Sequence, residues 1–318
     1  EYIKKVLNEC RRINEKYNYF NLISQDLALK QAREIQEGKI KKGKLLGVPV
    51  SVKDCVCVKD IESRAGSKIL SGYEPVFDAT VIQKVKQQGG ILIGKTSQDA
   101  FGFGSFNVNV GKGFKIPKNP HDEKRATGGS SGGAAGITKK LEFPHIAIGE
   151  STGGSIVAPA SYCGVVGLCP TYGRTSRYGL MDYANSLDKI GSLGKNVGEA
   201  ALLLEVISGH DKNDSTSLEL SGLDFSEIAE NKNFRIGIIK EAFGKGVDKT
   251  VKKSVLDLVD RLKKSGIQCE EVSLPMTFKY GIQTYYLISM AETSTNQAKF
   301  CGLRYGYEEK IHGNFNEY

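Results

Sequence analysis

Two glycine-flanked serine clusters constrain this chain of 318 residues more than any other feature. The first cluster is Gly128–Gly133 (GGSSGG), and the second is Thr152–Ser155 (TGGS), about 25 residues later. Glycine removes side-chain bulk and permits positive φ, so the backbone amides around a serine can turn toward one point. Converging amides suit a phosphate or the oxyanion of an acyl-transfer intermediate. The clusters therefore predict an anion-binding site at their serines.

A flexible linker is the alternative interpretation of GGSSGG, because runs of glycine and serine are usually linkers. A linker would not be followed by an apolar, strand-like run such as His145–Ile148, which leads directly into the second cluster. We therefore favour an ordered site.

The hydrophobic periodicity predicts helices that alternate with short strands. Helices are expected at 2–18, 25–38 (capped by Ser24), 79–88 (capped by Asp78), 198–208, 250–264 and 278–300, and strands at 47–53, 91–93, 165–168, 235–239 and 268–273. Residues 102–130 are expected to be irregular. This alternation predicts an α/β fold in which helices cover both faces of a parallel or mixed central sheet.

The bulk composition excludes several classes of protein. No apolar run is long enough to cross a bilayer, and the charged N-terminus does not resemble a signal peptide. The seven cysteines contain no CxxC pair and the four histidines show no ligand spacing, so we expect reduced thiols, a cytoplasmic location and no metal site. The net charge of +8 permits a polyanionic partner such as RNA but does not require one.

Two segments match known sequence motifs, but the secondary structure predicted around them does not fit those motifs. Residues 89–96 fit the phosphate loop GxxxxGK[ST], yet Ile91–Ile93 predicts a strand inside the supposed loop. Residues 128–132 fit the hydrolase elbow GxSxG, yet a polar segment precedes them where an apolar strand is required. That fold also needs a histidine, for which His312 is the best candidate. We disfavour both interpretations.

A third chemistry pairs a serine nucleophile with a lysine base. A buried lysine can act as a base when desolvation keeps it neutral. Lys53 follows an apolar strand and lies at its end, where the active sites of open α/β sheets gather. Lys53 is therefore the candidate base.

Several motifs in this order resemble the amidase signature family: GVPVSVKD (47–54), GGSSGG (128–133), GESTGGSIVAPA (149–160) and NSLDKIGSL (185–193). The resemblance implies an amidase-signature fold and a Ser–cis-Ser–Lys triad. By motif, Ser155 is the nucleophile, Ser130 the bridging serine on a cis peptide, and Lys53 the base. Backbone amides of Thr152, Gly153, Gly154 and Ser155 would form the oxyanion hole, and Ser131, Tyr285 and Tyr286 are candidate substrate contacts.

Within the family, SRYGL (176–180) and AETSTNQAKFCGLRYG (291–306) are most similar to the glutaminase subunits of tRNA-dependent amidotransferases. That resemblance implies a glutaminase that supplies ammonia to a partner, which amidates Glu-tRNA(Gln) or Asp-tRNA(Asn). It implies a larger tRNA-binding kinase/transamidase subunit that uses ATP and Mg²⁺, a small tether subunit, and no cofactor in this chain. The alternatives are a free-standing amidase on small amides and a non-catalytic scaffold.

The resemblance also predicts the domain organisation. We expect residues 1–44 to form N-terminal helices that pack on the core, and residues 45–318 to form the amidase signature domain. Family members continue beyond the RYG motif at 304–306, so the C-terminal part of that domain is expected to be missing.

A few positions depart from the family pattern. Ser151 and Val157 replace an acid and a base, which suggests that an ion pair was lost as a unit. Ala100, Cys169 and Cys301 replace a glutamate, a lysine and an aspartate. None of these changes removes a member of the triad.

Overall fold

The computed structural model describes residues 1–220, 234–300 and 313–314. The chain divides into two compact units, of which one comprises Glu1–Leu223 with Ala291–Tyr318 and the other Asp224–Met290. Cys301 and His312 lie outside the described residues.

A six-stranded mixed sheet forms the centre of the first unit, with the strand order β1-β3-β2-β4-β6-β5. Its strands are β1 Phe20–Ile23, β2 Pro49–Lys53, β3 Ile91–Thr96, β4 Ile146–Ser151, β5 Val166–Leu168 and β6 Lys189–Gly194. Strand β2 runs parallel to β3 and β4, whereas β1, β6 and β5 pair antiparallel with their neighbours. The predicted mixed α/β fold is confirmed.

The described residues of this unit contain six complete α-helices: α1 Tyr2–Tyr17, α2 Gln25–Gln36, α3 Thr80–Gln87, α4 Gly132–Lys140, α5 Val157–Cys163 and α6 Val197–Ile207. Helix α1 shows why the hydrophobic pattern was informative. Its residues Ile3, Val6, Leu7, Cys10 and Ile13 recur every three or four positions and are all buried. They form one core cluster with Tyr19 and strand β3.

A second, smaller core lies around the two serine clusters. Its members are mostly alanines, which allow close approach of the elements that carry them: Ala134, Ala135, Ala147, Ile156, Ala160, Cys163 and Leu193. Helices α4 and α5 therefore pack closely on each other, and α4 also packs on β4.

One predicted helix cap is correct in position only, and the other was wrong. Ser24 is the N-cap residue of α2, but its hydroxyl donates to the carbonyl of Leu92 and makes no cap hydrogen bond. Helix α3 begins at Thr80 after Ala79, and the Asp78 carboxylate instead accepts from Lys86. The Ser24 hydroxyl and the Asp78 carboxylate each form a hydrogen bond with another residue instead of capping the helix.

The second unit contains the strand-helix-strand that the sequence predicted. Strand β7 Arg235–Ile239 pairs in parallel with β8 Gln268–Val272, and α7 Lys249–Lys264 connects them. Asp248 caps α7 by accepting from the amides of Thr250 and Val251. The last helix, α8, spans Pro275–Gln297.

The six cysteines in the described ranges are free thiols. No helix in those ranges is both long enough and apolar enough to cross a membrane. Cys55 and Cys57 follow β2 and are both buried.

His145 is a buried structural histidine between β2 and α4. Its Nε2 lies 3.0 Å from Ser51 Oγ and its Nδ1 lies 3.3 Å from Thr138 Oγ1. Burial, with a smaller contribution from Lys195, lowers the pKa of His145 to about 3. The folded protein therefore holds this imidazole neutral in the pH range where the unfolded chain protonates it.

We expect His145 to make the fold acid-sensitive. The unfolded state binds one more proton below its His pKa of about 6.5, so the free energy of unfolding falls as pH drops. Between pH 7 and pH 5.5 this group alone should cost about 1 kcal/mol. Urea unfolding at both pH values should show a smaller pH dependence for His145→Gln than for the wild type. Identical pH dependences would contradict this assignment.

Candidate active site

Lys53 is the last residue of β2 and its side chain is completely buried. Its Nζ donates to three oxygens: Ser130 Oγ at 2.6 Å, Glu150 Oε2 at 2.8 Å and the Glu150 carbonyl at 3.0 Å. An ammonium group has three N–H donors, and each of them has an acceptor here. The burial of this lysine was predicted from the sequence, but its carboxylate partner was not.

Ser130 lies in an ordered loop immediately before α4. The peptide bond between Gly129 and Ser130 is cis, as the family resemblance implied. The Gly129 amide donates to the Ser105 carbonyl at 2.8 Å, and a Cβ at Gly129 would lie 2.2 Å from Asp99 Oδ2. The glycine is therefore required by close packing, and the linker interpretation of this cluster is wrong.

The second cluster follows β4 and lies against the first. The Ser131 amide donates to the carbonyl of Ser155 at 3.2 Å, which joins the two clusters directly. Ser155 itself is largely buried, whereas Gly153 is exposed. In the part of the chain that the structure describes, the amides of Gly153, Gly154 and Ser155 donate to no protein acceptor. This bend can therefore present free N–H groups to an anion.

Glu150 is the main site residue that was not predicted from the sequence. It belongs to β4, and the register that pairs Val52 with Ile148 brings it beside the end of β2. Its side chain is buried and forms an ion pair with Lys53. The signal in the sequence was an acid within the otherwise apolar run of β4, next to Ser151.

A second carboxylate, Asp188, is connected to Glu150 through a hydroxyl. Thr152 Oγ1 lies 3.0 Å from Glu150 Oε1 and 2.7 Å from Asp188 Oδ1, so it can donate to either. Burial raises the pKa of Asp188 to about 7, and the Glu150 carboxylate adds to this effect. The site thus contains two neighbouring buried acids and one buried lysine.

The three candidate substrate contacts occupy different places. Ser131 is buried, and its hydroxyl donates to the Glu150 carbonyl at 3.1 Å. Tyr285 and Tyr286 lie on α8 in the second unit, with ring centroids 5.2 Å apart. A contact between any of these residues and substrate stays a prediction.

The phosphate-loop alternative finds no support in the structure. Residues 91–96 form β3, so no loop is available there to surround a phosphate. Lys95 is buried and donates to the Val56 carbonyl and to Ser63 Oγ, both at 2.6 Å. Burial lowers its pKa. Lys95 therefore has a structural role.

The elbow alternative is also disfavoured, because the residues before Gly128 form no strand. A cleft of about 500 Å³ lined by Arg11, Lys68 and Lys115 contains none of the predicted site residues. Within the described ranges, no group of three His, Cys, Asp or Glu side chains is placed to hold a metal ion.

Comparisons with known proteins identify the family of this chain. The family model described as Amidase matches residues 1–317. The chain is 42% identical over 315 residues to the A subunit of the glutamyl-tRNA(Gln) amidotransferase of Staphylococcus haemolyticus, covering 98% of this chain and 64% of that protein. It therefore spans less than two thirds of this curated relative.

Two solved structures have folds similar to that of this chain. The crystal structure of the A subunit of the glutamyl-tRNA(Gln) amidotransferase from Thermotoga maritima matches with a TM-score of 0.82 and 36% identity, covering 92% of this chain and 62% of that one. The native peptide amidase of Stenotrophomonas maltophilia matches with a TM-score of 0.81 and 25% identity, covering 93% and 63%.

Proposed function

The chain belongs to the amidase family, and from this premise we propose that Ser155, Ser130 and Lys53 form a Ser–cis-Ser–Lys triad that hydrolyses a carboxamide. The observation that carries the proposal is the 2.6 Å contact between Lys53 Nζ and Ser130 Oγ in a buried site. A buried lysine in hydrogen-bond contact with a bridging serine can serve as the base for a serine nucleophile that has no histidine partner.

The first half of the proposed reaction forms a tetrahedral intermediate on Ser155. Ser155 Oγ attacks the carboxamide carbon, and its proton passes to Ser130 while the Ser130 proton passes to the neutral amine of Lys53. The new C–O bond places the carbonyl electron pair on oxygen. Amides of the bend Thr152–Ser155 would stabilise that oxyanion, and one such donor is typically worth on the order of 3 kcal/mol.

The second half releases ammonia and regenerates the serine. The tetrahedral intermediate collapses, the C–N bond breaks, and the relay returns a proton from Lys53 through Ser130 to the leaving nitrogen. Water then attacks the acyl-serine, with the same relay accepting its proton. The products are a carboxylic acid and ammonia.

We propose glutamine as the substrate, because this chain is similar in sequence and in structure to subunits of glutamyl-tRNA(Gln) amidotransferases. The ammonia would pass to a larger tRNA-binding partner that uses ATP and Mg²⁺ to amidate a misacylated tRNA in the cytoplasm, with a small tether protein in the complex. The tRNA would be contacted mainly through the larger partner. A free-standing amidase is the second candidate, and the similarity to a peptide amidase favours it.

Trapping with an electrophilic glutamine analogue tests the proposal. We expect one adduct, on Ser155, when the full-length protein is labelled with co-expressed partners and mapped by peptide mass spectrometry. A Lys53→Ala variant should lose the adduct. A label on Ser130 would contradict the assigned nucleophile, and no label with or without partners would favour a scaffold.

Copurification separates the two enzymatic candidates. A glutaminase component of an amidotransferase should purify with a larger tRNA-binding partner, and the complex should release glutamate from glutamine. A free-standing amidase should hydrolyse small amides alone and prefer them to glutamine.

A further inference from the structure

The direction of the hydrogen bond between Lys53 and Ser130 matters for the proposed relay. Of the three oxygens around Lys53 Nζ, only Ser130 Oγ carries a hydrogen that it could donate to a neutral amine. In the ammonium form, Lys53 donates to Ser130. The relay requires the reverse direction, with Ser130 donating to the amine, so the ammonium must first lose a proton.

Glu150 opposes that loss. Its carboxylate lies 2.8 Å from Lys53 Nζ, and the two side chains are only 3% and 0% exposed. A buried carboxylate at this distance stabilises the charged form of the amine, because little water is present to screen the attraction. The desolvation that favours a neutral lysine is therefore counteracted by its immediate neighbour.

We infer that Glu150 controls the proton on the proposed base: its carboxylate, 2.8 Å from Lys53 Nζ, favours the ammonium form over the neutral amine. The inference rests on the proposed function of Lys53 as the base. The relay must then overcome this attraction before Lys53 can accept a proton, and we expect its rate to rise as pH rises. Glu150 acts through Lys53 and takes no part in the bonds that the proposed reaction makes or breaks at the substrate, so it is a positioning residue.

Other titratable groups near the pair act differently. Asp188 faces Glu150 across the Thr152 hydroxyl, and its ionisation near pH 7 adds negative charge next to the Glu150 carboxylate. Burial raises the pKa values of Cys55 and Cys169, which keeps both thiols neutral. A separate buried pair, Lys95 and Asp54, lies 3.8 Å apart, and Lys189 acts on Cys169. Among the described residues that hydrogen-bond to Lys53 Nζ, only Glu150 has a charged side chain.

The test is the pH dependence of Ser155 labelling in the full-length protein with its co-expressed partners. The probe is the electrophilic glutamine analogue, and the rate is measured from about pH 6 to about pH 10. For Glu150→Gln we expect a labelling rate at pH 7 at least about tenfold above the wild type, with the rise in rate beginning at least about one pH unit lower. Glu150→Asp, which keeps the charge, should rise at the wild-type pH.

Several outcomes would overturn the inference. One is a Glu150→Gln profile that rises at the wild-type pH, with equal or lower rates throughout, since that result means the carboxylate only supports the structure. If Glu150→Gln does not fold, Glu150→Ser provides a second neutral variant with the same expected shift. A downward shift in Asp188→Asn without one in the Glu150 variants would assign the effect to Asp188 instead.

The proposed function can fail separately. If wild type and all Glu150 variants remain unlabelled on Ser155 at every pH, the triad itself is wrong and the inference falls with it. If Ser155 is labelled and Lys53→Ala abolishes the adduct while Glu150→Gln shifts nothing, only the inference fails.

Discussion

Replacing Ser130 by alanine is expected to lower the rate of Ser155 labelling about 10³-fold. Ser130 is the residue whose hydroxyl contacts Lys53 Nζ at 2.6 Å, so its loss disconnects the base from the nucleophile. Positioned proton transfer typically contributes between about 10² and 10⁴ in rate, and the expected loss lies in that range. The measurement is the second-order rate constant for labelling by the electrophilic glutamine analogue.

The chain contains a matched control for this variant. Ser63 Oγ accepts from Lys95 Nζ, also at 2.6 Å, and both of these side chains are buried. Ser63→Ala therefore removes the same kind of contact from a lysine with a structural role. We expect its labelling rate to stay within about threefold of the wild type. Equal losses in Ser130→Ala and Ser63→Ala would mean that the contact matters for stability only.

Gly133→Ala is expected to destabilise the first unit by about 3 kcal/mol or more. Gly133 is the second residue of α4, and a Cβ there would lie 2.5 Å from the Tyr19 carbonyl oxygen and 2.6 Å from both the amide nitrogen and the carbonyl oxygen of Ser97. All three are backbone atoms, so the clash cannot be relieved by a rotamer change. The start of α4 would have to move away from the backbone at Tyr19 and Ser97. Urea unfolding of the full-length protein measures the loss.

Gly198→Ala is the control, because Gly198 is also the second residue of a helix, α6. Its nearest neighbour to an added Cβ is Asn196 Oδ1 at 3.4 Å, an ordinary contact. Alanine is a better helix former than glycine, so we expect a gain of up to about 1 kcal/mol. Similar effects of the two substitutions would show that the close packing at Gly133 is relieved at little cost.

The sequence was most informative where the pattern of side chains decides the structure. The amphipathic helices α1 and α7 were predicted nearly to their ends, and Lys53 was placed correctly at a buried strand end. These predictions depend on hydrophobic period and on β-branched residues, which a single sequence records directly.

Helices α4 and α5 were missed because their local preference is unfavourable. Helix α4 begins Gly-Gly-Ala-Ala-Gly, a composition with poor helix propensity. It forms because only glycine fits against Tyr19 and Ser97, as the short distances at Gly133 and Gly136 show. Tertiary packing thus overrides propensity, and no periodic signal records it.

Glu150 was missed for a different reason. Its importance depends on the register that places β4 beside β2, and a register between strands almost a hundred residues apart leaves no trace in one sequence. The sequence motifs identified the serines and Lys53, but the Glu150 carboxylate next to Lys53 could be identified only from the structure.

The ends of the central sheet have a consequence for how other chains can attach. Its two edge strands are short, with four residues in β1 and three in β5. The longer apolar strands β3, β2 and β4 are each paired on both sides. Unpaired edges are where foreign strands add, and adding one needs several consecutive free N–H and C=O groups. In the described residues, the open edges of this sheet are therefore too short to favour extension by a strand of another chain.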